Sequence, residues 1–226
     1  MNNTHNKYIS ASMMCADMMN IERDIHQLES AGVDYLHIDI MDAHFVPNLT
    51  FGPDFVKAAQ KVTNLPIDIH LLMDNPKTII PSLEIKKGDI VSIHSESKDN
   101  IVESSALIKQ KGANFGLALN PETSVKDISK YLPYLDVIVL MLIVPGFAGS
   151  SMLHGMMDKV LATKKYLMEH SFENILIEVD GSVSAERAQI MSSMGADIFV
   201  GGTSGIFKKD MNINDSVIRF RENISK

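Results

Sequence analysis

The sequence contains very little cysteine and no long apolar segment. Cys15 is the only cysteine among 226 residues, which argues against an intramolecular disulfide and is expected in a reducing cytoplasm. No run approaches the roughly 18 apolar residues that a membrane-spanning helix needs. Residues 1–7 are polar and lack the apolar core of a signal peptide. We therefore expect a cytoplasmic protein that does not enter the membrane, with residues 1–7 as a flexible extension.

Positive charge is also scarce. Lysine and arginine number 21 against 28 aspartates and glutamates, which gives a formal net charge of −7. This balance argues against nucleic acid as the main partner. The length fits one large domain, and a hydrophobic fraction of 45% is enough for a complete core. Because no linker or low-complexity stretch interrupts the chain, we expect residues 1–226 to form a single domain.

The chain alternates between short apolar runs and segments of helical character. The eight runs are rich in β-branched residues and lie at 8–13, 34–40, 66–72, 89–94, 115–119, 135–142, 174–179 and 197–201. Continuous apolar runs are typical of parallel strands that are buried on both faces. Helical segments such as 20–31, 101–111 and 183–194 separate them. Eight strands, each followed by a helix, predict an α/β fold of the (β/α)8 TIM-barrel class.

A doubly wound open sheet is the rival architecture. That fold typically carries a Gly-x-Gly-x-x-Gly turn after its first strand, and this sequence has no such turn there. The count of eight strands also favours the barrel.

In such a barrel the functional residues lie at the carboxyl ends of the strands. His37 and Asp39 share one face of the second strand, because alternate residues of a strand point the same way. His70 lies at the end of the third strand and Asp180 at the end of the seventh. Two imidazoles and two carboxylates suit Zn²⁺, Fe²⁺, Mn²⁺ or Co²⁺. The set therefore predicts one bound divalent metal ion.

The loops after the last three strands are rich in glycine. They are residues 145–150, Gly181 with Ser182, and residues 202–204. Loops at these places in barrels commonly bind phosphate through backbone N–H groups. A metal beside a phosphate site indicates a small phosphorylated substrate with a carbonyl or hydroxyl group to polarise.

Asp39 and Asp180 come from well-separated strands and could approach one carbon atom from two sides. One carboxyl group would remove a proton and the other would return one to the opposite face, which inverts the configuration through an enediolate. A metal ion would stabilise that intermediate. Because one aspartate must start protonated, the pair is expected to titrate as a coupled system.

Six motifs resemble the ribulose-phosphate 3-epimerase family over nearly the whole chain. They are His37 to Asn48, Asp68 to Leu71, Asn120 to Thr123, Pro145 to Gly149, Glu178 to Ser182 and Gly202 to Phe207. The resemblance implies a metal held by His37, Asp39, His70 and Asp180, with Asp39 and Asp180 as the acid and base. It also implies a homo-oligomer. The substrate contacts that it implies are Ser12, Met41, His70, Gly146, Phe147, Ala148, Gly149, Gly181, Ser182, Gly202, Thr203 and Ser204.

The finer motifs resemble one branch of that family. Asp180-Gly181-Ser182, together with residues 202–207, is similar to the D-allulose-6-phosphate 3-epimerases, which implies conversion of D-allulose 6-phosphate to D-fructose 6-phosphate. The alternative substrate pair is D-ribulose 5-phosphate and D-xylulose 5-phosphate. Two other classes stay open: a non-catalytic sugar-phosphate binding barrel, and a metal-free barrel that performs isomerisation or aldol chemistry.

Several positions depart from the usual family pattern. They are Ala43, Leu72, Leu142, Val144 and Ser150. We expect them to make the mouth of the barrel more apolar and to alter substrate preference or reduce activity.

Asp42 and Asp68 are expected to support the structure rather than to bind the metal. His94 could support the site or make an ordinary strand-end hydrogen bond.

Overall fold

The computed structural model describes residues 6–225, which contain eight parallel strands closed into a barrel. The strands are β1 Tyr8–Ser12, β2 Tyr35–Met41, β3 Ile67–Leu72, β4 Ile90–His94, β5 Asn114–Leu119, β6 Val137–Met141, β7 Leu176–Asp180 and β8 Ile198–Gly201. Each strand pairs with the next along the chain, and β8 closes the barrel against β1. The predicted (β/α)8 fold is confirmed.

Six α-helices surround the strands. They are α1 Ile21–Ala31, α2 Pro53–Val62, α3 Ile101–Gln110, α4 Met156–Glu169, α5 Ala185–Ser193 and α6 Ile213–Ile224. The expectation of a helix after every strand is wrong for two connections, where short 3-10 helices replace an α-helix. Pro76 and Pro81 lie in the connection after β3, and Pro133 lies in the one after β5. Proline lacks the N–H group and the space that a continuous α-helix requires.

The interior of the barrel is apolar at one end and polar at the other. Alternate residues of each strand point inward. Near the amino ends of the strands, Ile90, Val137 and Ile198 pack with Tyr8 and Tyr35. The inward positions nearer the carboxyl ends include histidine, aspartate and glutamate side chains, and the functional groups of the sequence therefore meet there.

An aspartate precedes every second strand and binds the strand before it. Each carboxylate accepts a hydrogen bond from a backbone N–H near the start of its neighbour. The four bonds join Asp34 to Ile9 (2.7 Å), Asp89 to Ile67 (2.8 Å), Asp136 to Phe115 (2.8 Å) and Asp197 to Ile177 (3.0 Å). Three of these aspartates, Asp34, Asp89 and Asp197, follow a glycine by one or two residues in the sequence. The four aspartates join neighbouring strands at the amino end of the barrel.

The amino-terminal segment is anchored where it enters β1. Lys7 donates hydrogen bonds to the carbonyl oxygen of Ala196 at 2.6 Å and to Asp197 at 3.2 Å. The remainder of the expected flexible extension, residues 1–5, lies outside the described residues. From residue 6 to residue 225, none of the helices combines the length and apolar character needed to cross a bilayer.

We predict that Asp197→Ala lowers the free energy of unfolding by about 1–3 kcal/mol, because it leaves a buried backbone N–H without a partner. The Asp197 side chain is only 1% exposed. Asp136→Ala removes the equivalent hydrogen bond, but the Asp136 side chain is 36% exposed, so water can take the place of its carboxylate. We therefore expect a smaller decrease in the free energy of unfolding for Asp136→Ala. Urea unfolding of both variants measures the difference, and equal losses would contradict the explanation.

Candidate active site

Four side chains converge at the carboxyl end of the barrel. His37 and Asp39 come from β2, His70 from β3 and Asp180 from the end of β7. The strand register places Asp39 directly beside His70. Oδ1 of Asp39 lies 3.2 Å from Nε2 of His37 and 3.3 Å from Nδ1 of His70. Oδ2 of Asp180 lies 3.9 Å and 3.7 Å from the same two nitrogens. The structure therefore brings together the four residues that the sequence indicated.

The spacing and the chemistry of this cluster fit a divalent metal ion. Ligands about 2.1 Å from a tetrahedral ion lie about 3.4 Å from one another, which is within the range of distances observed. Nδ1 of His70 is buried and has no hydrogen-bond partner among the described residues. A buried ring nitrogen that faces two carboxyl groups at 3.3 Å and 3.7 Å is well placed to bind a cation together with them. The four residues can therefore hold a metal ion.

His37 is oriented by a carboxylate beneath it. Its Nδ1 lies 2.6 Å from Oδ2 of Asp68, which also accepts a hydrogen bond from Ser10. Because a carboxylate can only accept, Nδ1 of His37 donates and Nε2 faces the metal-site cluster. Burial alone would raise the pKa of Asp68, but His37 outweighs that effect and holds this pKa below its usual range. Asp68 thus supports the site, as expected.

Glu178 is a further buried carboxyl group that the sequence interpretation missed. It is fully buried, and its Oε1 lies 3.5 Å from Nδ1 of His37. Burial and the charge of Asp68 raise the pKa of Glu178 well above its ordinary value. Its position two residues before Asp180, on the same face of β7, is the signal that could have found it.

Asp39 and Asp180 lie in different electrostatic environments. Burial alone would raise the pKa of Asp39, but His37 and His70 outweigh it and lower that pKa. Burial and the charge of Asp39 together raise the pKa of Asp180. The pKa of Asp39 is therefore lowered and that of Asp180 is raised, which separates the two carboxyl groups in the direction that a base and an acid require.

A cleft opens above this cluster. Its walls include eleven of the twelve predicted substrate contacts, namely Ser12, Met41, Gly146, Phe147, Ala148, Gly149, Gly181, Ser182, Gly202, Thr203 and Ser204. The twelfth, His70, is fully buried and lies beneath the floor, so it is not part of the wall. Met14 and Cys15 also line the cleft.

The expected apolar mouth is formed only in part by the predicted residues. Leu72 lines the cleft, and Met141 and Ile143 lie beside it. Leu142 instead points into the main core, and Val144 is 64% exposed to solvent outside the cleft. The alternation of β6 and the turn that follows it direct these neighbours to different sides.

The loop after β2 is held in a fixed shape. Ala43 has a left-handed backbone with φ of 59°, where glycine is usual. Asp42 offsets this strain, since its Oδ1 accepts hydrogen bonds from the backbone N–H groups of His44 and Phe45. Asn48 donates a hydrogen bond to the carbonyl oxygen of Gly146 at 2.7 Å. The loops after β2 and β6 are thereby joined across the mouth.

Comparison with known proteins places the chain in a family. Residues 8–207 match the model of the ribulose-phosphate 3 epimerase family. The chain is 36% identical over 211 residues to a ribulose-phosphate 3-epimerase of Bacillus subtilis (strain 168), with 93% of this chain and 97% of that protein covered. The chain belongs to the ribulose-phosphate 3-epimerase family. A second relative in this family, from Escherichia coli (strain K12), is 34% identical over 197 residues and 87% of each chain is covered. The predicted family and the predicted enzyme class, an epimerase, are confirmed.

Solved structures outside the ribulose-phosphate 3-epimerase family share its barrel. A tryptophan synthase of Mycobacterium tuberculosis has a TM-score of 0.67 at 10% identity, covering 97% of this chain and 93% of that one. An orotidine 5'-phosphate decarboxylase of Pyrococcus horikoshii OT3 has a TM-score of 0.65 at 12% identity, covering 96% and 99%. At such low identity these likenesses concern the fold alone.

We predict that zinc stabilises the protein through the four-residue cluster. Zinc at about 100 times its dissociation constant should raise the free energy of unfolding by about 2.7 kcal/mol. Burial alone would lower the pKa of His37, but Asp68 and Asp39 raise it well above its ordinary value, so a proton competes with the metal. The stabilisation should therefore grow from about pH 6 to about pH 8.

Thermal melts with and without zinc measure this effect. His70→Gln should remove most of the stabilisation. His26→Gln is the matched control, because His26 lies on the surface with its side chain 54% exposed. If both variants lost the same amount of zinc-dependent stabilisation, zinc would bind at a site other than this cluster.

Proposed function

We propose that this protein interconverts D-ribulose 5-phosphate and D-xylulose 5-phosphate. The observation that carries the proposal is the convergence of Asp39 and Asp180 beneath a cleft with glycine-rich walls. The relatives described above are named ribulose-phosphate 3-epimerases, which favours the pentulose pair over D-allulose 6-phosphate. The motif Asp180 to Ser182 indicated the hexulose substrate, D-allulose 6-phosphate, but no relative described above supports that more specific prediction.

Inversion at one carbon requires proton transfer at both of its faces. Two strands, β1 and β8, separate β2 from β7 in the closed barrel, so Asp39 and Asp180 reach the cleft floor from different sides. Asp39, whose pKa is lowered, is suited to accept the proton from C3. Asp180, whose pKa is raised, is suited to deliver one to the opposite face. In the reverse direction the two residues exchange roles.

The negative charge that develops on the substrate needs stabilisation in this buried place. His37, Asp39, His70 and Asp180 would hold a divalent ion, and its positive charge would stabilise the substrate oxygens as the proton leaves C3. Two nitrogens and two oxygens suit Zn²⁺, Fe²⁺, Mn²⁺ and Co²⁺. The loss of activity on metal removal should therefore be reversed by more than one of these ions.

The phosphate group of the substrate fits the loops after β6, β7 and β8. No lysine or arginine of the described residues lines the cleft, so backbone N–H groups would make the main contacts. Ser182 has φ of 55°, and Arg187 donates hydrogen bonds to its carbonyl oxygen and its Oγ at 2.8 Å and 2.7 Å. These bonds hold the turn and bring positive charge close to it.

A rate comparison tests the substrate. With a defined metal, the purified protein should convert D-ribulose 5-phosphate to D-xylulose 5-phosphate at a higher kcat/KM than D-allulose 6-phosphate to D-fructose 6-phosphate. A higher rate on the hexulose pair would restore the sequence-based preference. Metal-bound protein that turns over neither pair would support a non-catalytic binding barrel. Full turnover after metal removal would support the metal-free alternative.

A second experiment tests the two-carboxylate mechanism. Asp180→Asn should lower kcat by about 100-fold to 10,000-fold, because the amide cannot transfer a proton. In deuterated water this variant should still exchange the C3 proton of the epimer that Asp39 deprotonates, whereas the wild type exchanges both. If Asp180→Asn exchanged the C3 proton of both epimers, the assignment of Asp39 and Asp180 to opposite faces of C3 would be contradicted.

Metal content must be measured in parallel, since Asp180 is also a proposed ligand. Asp127→Asn is the matched control, because Asp127 is exposed and its carboxylate accepts hydrogen bonds from the nearby Ser124, away from the cleft. A homo-oligomer and a cytoplasmic location remain predictions.

A further inference from the structure

We propose that His94 and Glu96 are positioning residues that fix the ring of His70 so that its Nδ1 lone pair points into the metal-site cluster. The inference rests on the metal-binding role given to that cluster. Neither residue is itself a ligand in the proposed site, and β4, which carries His94, contributes no ligand to it.

A continuous chain of contacts leads from Glu96 to the cluster. His94 is the last residue of β4 and is fully buried. Its Nε2 lies 2.9 Å from Nε2 of His70, and the two ring planes are within 18° of parallel, with centroids 5.0 Å apart. Nδ1 of His94 lies 3.3 Å from Oε2 of Glu96. The chain therefore runs from a carboxylate through two imidazoles to the cluster.

The hydrogen-bonding roles follow from the carboxylate at the outer end. A carboxylate can only accept, so Nδ1 of His94 carries the hydrogen that faces Glu96. A neutral imidazole has one ring hydrogen, which leaves Nε2 of His94 as an acceptor. The hydrogen between the two rings is then bound to Nε2 of His70, and Nδ1 of His70 carries no hydrogen.

The contacts of His70 agree with that assignment. Its Nδ1 is buried, has no hydrogen-bond partner among the described residues, and lies 3.3 Å and 3.7 Å from the carboxyl oxygens of Asp39 and Asp180. A bare nitrogen facing two carboxyl groups is unfavourable unless a cation lies among them. The arrangement is therefore prepared for a metal ion rather than for a hydrogen bond.

Glu96 is itself held in place by the loop after β5. Its Oε1 accepts hydrogen bonds from the backbone N–H of Asn120 at 3.1 Å and from the hydroxyl of Thr123. Burial alone would raise the pKa of Glu96, but hydrogen bonds from His94 and Thr123 hold that pKa at about 2. Lys159 of α4 donates to the carbonyl oxygen of Asn120 at 2.6 Å. The carboxylate at the end of the chain is thus ionised and fixed.

His37 is oriented in a related way by fewer residues. Its Nδ1 donates directly to Asp68, which leaves Nε2 for the metal. Partners that hold the second ring nitrogen of a metal-binding histidine commonly raise metal affinity about 10-fold to 100-fold. Asp68 performs this function for His37 within β3, and the His94–Glu96 pair performs it for His70 from β4.

Nitrogen NMR of the imidazole rings tests the assignment directly. In the zinc-loaded wild type, His94 should carry its hydrogen on Nδ1 and His70 on Nε2, as long-range proton–nitrogen correlation spectra distinguish. The opposite tautomers would overturn the proposal. Because this readout does not depend on turnover, it is independent of the substrate assigned above.

Two substitutions at one position separate orientation from packing. His94→Gln keeps an acceptor for His70 and a donor for Glu96 but loses the ring. His94→Phe keeps the ring and loses both hydrogen bonds. We expect His94→Phe to weaken zinc binding by about 10-fold to 100-fold and His94→Gln to restore much of the loss, as measured by competition with a chromophoric chelator. A packing role predicts the reverse order and would overturn the proposal.

Variants of the carboxylate complete the test. Glu96→Ala should weaken zinc binding and change the visible absorption of the cobalt-loaded protein. Glu103→Ala is the matched control, because Glu103 forms an exposed ion pair with Lys77 and is not among the residues of the cluster. Unchanged zinc affinity in Glu96→Ala, with the fold verified by circular dichroism, would contradict the inference. Tight zinc binding by wild-type protein that lacks turnover would contradict only the proposed function.

Discussion

Four carboxyl groups inside a closed barrel set the constraint on which the rest of the site depends. Asp39, Asp68, Glu178 and Asp180 are all shielded from solvent, and no lysine or arginine among residues 6–225 is buried with them. Buried charges are unfavourable unless they are paired or neutralised. His37 lies between two of the carboxylates, Glu178 favours its neutral form, and a divalent ion would compensate the remainder. Metal binding and the stability of the barrel interior are therefore coupled.

The two ends of the barrel have different roles. At the amino end, aspartates before alternate strands bind the backbone of their neighbours and hold the strands in register. At the carboxyl end, the inward side chains of β2, β3 and β7 meet, and the loops above them form the walls of the cleft. Side chains on strands keep their positions more strictly than side chains on loops. The proposed metal and proton-transfer groups thus lie on strands, and most of the proposed sugar-phosphate contacts lie on the loops.

Departures from the family pattern change the surroundings of the site more than its chemistry. Ala43 adopts the left-handed backbone that glycine usually provides, and the hydrogen bonds of Asp42 make that conformation acceptable. Leu142 joins the core, so only Leu72 among the apolar replacements reaches the cleft. All four proposed metal ligands are present. The departures therefore leave in place the groups that the resemblance to the ribulose-phosphate 3-epimerase family assigns to metal binding and proton transfer.

The barrel class and the four residues of the cluster could be predicted from the sequence. Eight apolar runs with helical segments between them predicted eight parallel strands, and the alternation of strand residues placed His37 beside Asp39. Distances between strands were not accessible in this way, because they depend on the register of a closed sheet. The folded barrel was needed to show that Glu178 lies under His37 and that His94, on β4, reaches His70 on the neighbouring β3. It also showed that short 3-10 helices take the place of two expected α-helices and that Leu142 faces the core, since packing around the barrel selects the side to which each residue turns.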